Sequence, residues 1–64
     1  MGNREETVKS VFAFNLLPGH RIVGVGLVIS VREVQHLQTS VWIMFDEGGY
    51  GHQIYPNEEM LHVI

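Results

Sequence analysis

From Val23 to Val31 every second residue is a large apolar one (Val23, Val25, Leu27, Ile29, Val31), and Gly24, Gly26 and Ser30 among the intervening positions are small. A repeat of two is the signature of a β-strand that buries one face. Pro18-Gly19 just upstream is a turn signal, so Arg21 to Arg32 reads as one strand. Val41, Ile43 and Phe45 repeat the pattern between Thr39-Ser40 and the turn-forming Asp46-Glu47-Gly48-Gly49, which predicts a second strand. The polar stretch Glu33 to Gln38 reads as the loop between them.

Gly51 to Tyr55 predicts a third short strand, closed by Pro56, which has no N–H to give to a ladder. Pro56 to Met60 suits one helical or 3₁₀ turn, with proline first and acids near its positive end, and Leu61 to Ile64 follows as a last strand. The first segment is open to two readings. Asn3 and Glu6 have capping-box spacing and Val8, Val11, Phe12 and Leu16 recur at helical intervals, whereas the β-branched and aromatic content of Val8 to Phe14 favours a strand. The strand is preferred. The expectation is an all-β fold, a small barrel of about five short strands with a single 3₁₀ turn before the last, in which residues 1–6 are a flexible tail and 7–64 the domain.

A chain of 64 residues with no cysteine has neither a disulfide nor a thiolate zinc site to reinforce a small core. Self-association is the remaining common device. Four basic against seven acidic residues argue against a phosphate-neutralising surface, so nucleic acid is an unfavoured partner. The polar, partly acidic Met1 to Glu6 does not resemble a secretory leader, and the glycine-broken run Ile22 to Val31 is too short to span a bilayer. A cytoplasmic protein with no membrane partner is expected, of a size that suits a phage or mobile-element accessory protein.

Catalytic constellations are not evident. Gly24-Val25-Gly26 falls in a strand rather than before a helix, where glycine permits a bend instead of cradling phosphate. His20, His36, His52 and His62 lack metal-ligand spacing, and only His52 with His62 could meet across neighbouring strands. Ser10, Ser30 and Ser40 sit in no nucleophile motif, and Glu5-Glu6 and Glu58-Glu59 read as solvated charge. No catalytic residue, metal or cofactor is assigned.

The face opposite the core carries more information. If the odd positions of both long strands point inward, Ile22, Val28, Trp42 and Met44 point outward, and such a patch on a small domain marks a protein-binding or self-association surface. The alternative is that Phe12 and Phe14 of the first segment fold over it. Tyr50 and Tyr55, with Trp42 and the acidic Asp46-Glu47, could form an aromatic recess for a cationic guest.

Leu17-Pro18-Gly19-His20-Arg21-Ile22, the glycine-bearing strand, Val41-Trp42-Ile43-Met44-Phe45-Asp46-Glu47-Gly48-Gly49, Gln53-Ile54-Tyr55-Pro56 and the closing Met60-Leu61-His62-Val63-Ile64 together resemble the SH3-like barrels, Tudor-type modules included. The resemblance implies the barrel. More locally, His52-Gln53-Ile54-Tyr55-Pro56 is similar to a pore-lining run of the plasmid-encoded type II dihydrofolate reductases. That likeness implies substrate-facing roles for Gln53, Ile54 and Tyr55 in an oligomeric enzyme, yet Val23-Gly24 stand where that family has its pore lysine. The residues put forward for binding are Val28, Trp42, Met44, Tyr50, Gln53 and Tyr55, in a non-enzymatic protein-binding or self-associating module.

Overall fold

A computed structural model of the chain describes residues 7–64, with the backbone alone for residues 33–35. The expected tail, residues 1–6, lies outside the described residues. The fold is all-β. In chain order it comprises β1 (Lys9–Phe12), a 3₁₀ helix (Ala13–Asn15), β2 (Arg21–Ile22), β3 (Gly26–Gln35), β4 (Gln38–Phe45), β5 (Tyr50–Pro56) and β6 (Met60–Val63). They form one six-stranded sheet in the order β1-β6-β2-β3-β4-β5, with every pairing antiparallel. The architecture is compatible with a small β-barrel. Among the described residues no helix is long and apolar enough to cross a membrane.

The strand count is six rather than about five because the stretch expected as a single strand from Arg21 is a hairpin. Val23, Gly24 and Val25 form its turn, with Gly24 at φ +79° and the Val25 N–H donating to the Ile22 carbonyl at 3.0 Å. A left-handed residue costs glycine little, so the chain reverses here. The expected loop from Glu33 is also shorter than predicted. β3 and β4 pair up to Gln35 and Gln38, which leaves a two-residue turn, His36-Leu37.

The turn at Gly24 and a bulge in β3 change part of the predicted inward set, although Val25 and Val31 still pack against the core. β3 starts again at Gly26, where it lies against the β4 backbone, and Val28 pairs with Ile43 on the core side. The ladder then skips Ile29, so Ser30 faces Trp42 and Val31 faces Val41. A bulge of this kind places two residues against one and resets the alternation. Ile22 and Val28, expected outside, are therefore in the core, while Val23 and Ile29, expected inside, are exposed. On β4 the prediction holds: Val41 and Ile43 are fully buried, Phe45 packs against them, and Trp42 and Met44 face out.

The core joins Leu16, Ile22, Val28, Val41, Ile43 and Val63. The 3₁₀ helix closes one end of it. Ala13 is completely buried, its N–H donates to the Glu59 carbonyl (2.9 Å) and the Phe14 N–H donates to the Asn57 carbonyl (3.2 Å). Before the last strand the predicted tight turn is present as a hydrogen-bonded one, Glu59 N–H to Pro56 carbonyl at 3.0 Å, but the 3₁₀ helix itself lies between β1 and β2.

Candidate functional site

On β4 and β5 the register Ser40↔Ile54, Trp42↔His52 and Met44↔Tyr50 pairs even-numbered residues with even-numbered residues. Side chains alternate along a strand, so all six share the outer face. Trp42 is its centre. The indole meets the Tyr50 ring edge-on (centroids 6.4 Å apart, 82° between planes) and the tilted His52 imidazole at 5.2 Å. His52 Nε2 and the buried Ser40 hydroxyl share a 2.7 Å hydrogen bond that fixes the imidazole at the base of the cluster.

This ordered cluster is left open to solvent. Trp42 keeps 44% of its surface exposed, Met44 47%, Ile54 48% and Tyr50 65%. Phe12 and Phe14 do not cover it. They stack on one another instead, with centroids 5.7 Å apart. Among the described residues the outer face of β4 and β5 is thus an apolar patch flanked by the acidic turn Asp46-Glu47.

Three of the six proposed binding residues, Trp42, Met44 and Tyr50, come together on this face. Val28 does not; at 1% exposure it belongs to the core, because the turn at Gly24 sets β3 in the register that pairs Val28 with Ile43. Gln53 and Tyr55 lie on the opposite side of β5, facing Val41 and Thr39. Tyr55 packs against the core, and burial together with the nearby Glu59 carboxylate holds its hydroxyl pKa above the usual 10.0. Because Tyr50 and Tyr55 face opposite ways, the three-ring recess with Trp42 does not assemble.

His52, Ile54 and Ser40 complete the face and were not assigned to it from sequence. The parity of Tyr50, His52 and Ile54 with Trp42 was the available signal, readable once the Asp46 to Gly49 turn is taken as a hairpin. His62 is elsewhere: it bonds Ser10 Oγ at 3.2 Å on β6, which β2, β3 and β4 separate from β5 in the sheet. His52 and His62, which could have met only across neighbouring strands, are therefore apart. Among the described residues no group of three metal-ligating side chains converges.

Comparison of the chain with protein-family models, with curated proteins and with solved structures finds no match.

Proposed function

We propose that this chain is a non-enzymatic interaction module of the small SH3-like barrel kind, and that it associates with itself through the outer face of β4 and β5. One observation carries the reading: Trp42, braced by Tyr50 and His52, stays nearly half exposed beside Met44 and Ile54. Tryptophan, tyrosine and methionine are enriched at the centres of protein interfaces, and a rigidly held aromatic loses little further entropy on docking. The economy of the core favours a second copy as the partner. Its six clustered residues contain no aromatic ring, and the chain has no disulfide to reinforce them.

The SH3-like assignment is supported by the antiparallel sheet, the short turns and the order of motifs from Leu17 onward. Sedimentation velocity over a micromolar-to-millimolar series tests the function. The native chain should sediment faster as concentration rises, and Trp42→Glu should remain a monomer with an unchanged far-ultraviolet circular dichroism spectrum. A native chain that is monomeric throughout the series removes the reading; a folded Trp42→Glu protein that still associates removes this face from it.

A further inference from the structure

The edge of the sheet next to this face carries its own information. Phe45 N–H donates to the Gly49 carbonyl (2.9 Å) at one end of the β4–β5 ladder, and Asn57 N–H to the Leu37 carbonyl (2.7 Å) at the other. Odd-numbered residues of the two strands therefore turn their backbone groups toward each other. Because those groups alternate in direction along a strand, the N–H and C=O of Tyr50, His52 and Ile54 point away from β4, along the outer side of the sheet's last strand. Among the described residues β5 pairs with β4 alone, so these groups have no partner strand.

Exposed edges of this sort are normally blunted by brevity, lysine, proline or a bulge. The other edge, β1, fits that rule: it is four residues long, carries Lys9 and runs straight into the 3₁₀ helix. β5 does not. It is seven residues long, its register against β4 is unbroken, it has no lysine, and its proline comes last.

We propose that the edge of β5 is the seam of a two-fold dimer, in which β5 of a second copy pairs antiparallel in a register centred on His52. The proposal rests on the self-association reading above and adds an edge contact to it: pairing lies in the plane of the sheet, so it joins the outer faces of the two copies side by side, with Trp42 one strand in from the seam. Pairing His52 with its own symmetry mate sets Tyr50 opposite the partner's Ile54 and Ile54 opposite the partner's Tyr50. All three outward N–H groups then find carbonyls, and Pro56 is left out of the donor set. The sequence around the axis is self-complementary: an aromatic and an aliphatic residue flank His52 at equal distance, and Tyr50 to Asn57 contains no Asp, Glu, Lys or Arg. Two copies of a chain with formal net charge −3 meet here without opposing charged side chains. Glu47 and the pair Glu58-Glu59 lie beyond the two ends of the seam, Asp46 being paired with the Arg21 guanidinium at 2.7 Å, so screening by salt tightens association; a basic strand docked on the same edge would weaken as salt rises.

Single-cysteine variants of this cysteine-free chain test the register. In an antiparallel hydrogen-bonded pair the Cα atoms lie about 5.5 Å apart, within disulfide reach. Mild oxidation of His52→Cys should yield a covalent dimer, whereas Val23→Cys, at the distant β2–β3 turn, should not. A cross-link through Gln53→Cys in place of His52→Cys overturns the stated register. Judged against Ile54→Ala, which removes the same side chain from the outer face but keeps the N–H, Ile54→Pro tests the seam without a cross-link, because it deletes an outward N–H and spares the ladder to β4. With circular dichroism unchanged, its dimer dissociation constant should rise at least about tenfold. If the native chain associates but Ile54→Pro associates as well as Ile54→Ala, the seam is refuted while the self-association reading stands. If the native chain is a monomer throughout, both fall.

Discussion

Leu37 adopts φ +58°, and it is the one non-glycine residue with positive φ among those described. It occupies the tight turn between β3 and β4, where its carbonyl accepts the Asn57 N–H at 2.7 Å and its side chain is 74% exposed. A left-handed conformation costs an ordinary L-residue roughly 1–2 kcal/mol, and so exposed a leucine recovers little of that through packing. Leu37→Gly removes the steric cost and adds some unfolded-state entropy, so stability should rise by about 0.5–1 kcal/mol, read as a higher urea midpoint at unchanged slope. An unchanged or lower midpoint would mean that Leu37 earns its place through contacts, for instance along the hollow of about 210 Å³ that it lines with Pro56, Asn57 and Glu58.

The same local detail decides what could be read from the sequence about the strands. β4 was legible because it runs from Gln38 to Phe45 without a bulge on its β5 side, so the odd positions that look apolar are the buried ones. β3 was not, since both parities of residues 22–31 contain large apolar residues and the deciding events are backbone ones, the turn at Gly24 and the bulge at Ile29. Trp42, Met44 and Tyr50 were recoverable from parity alone. Val28 goes inward with the register of its strand; Tyr55 is set beside Tyr50 by closeness in sequence and Gln53 by the local resemblance, and neither criterion carries the face on which a side chain lies. Gly26 shows how tightly the β3 register is held. A Cβ there would meet the Met44 carbonyl oxygen, lie 2.8 Å from the Phe45 Cα and sit 2.9 Å from the Ile43 Cγ2. The first two belong to β4's backbone and cannot swing away. Gly26→Ala should therefore cost about 3 kcal/mol, the upper end for overpacking, whereas Val23→Ala in the neighbouring exposed turn should cost well under 1 kcal/mol; chemical denaturation of both variants checks the contrast. Equal losses would contradict the close approach of the two strands.

Sixty-four residues folded around so few buried side chains should have only about 3–10 kcal/mol of stability. Association of two native chains draws on that margin directly, because the folded dimer and the unfolded chains differ in molecularity. Melting should therefore depend on protein concentration, with the midpoint rising by about 5 °C per tenfold increase for a domain of this size. Trp42→Glu should abolish the dependence by placing a carboxylate beside Tyr50 and His52, and Ile54→Pro by unpairing the edge, each leaving a midpoint that no longer moves with concentration. The same series repeated at higher salt should raise the native midpoint at a fixed concentration, since the acidic turns at either end of the paired strands repel one another less when screened. A native midpoint that stays constant from micromolar to millimolar protein would mean that the fold is held by its own small core, without a second copy.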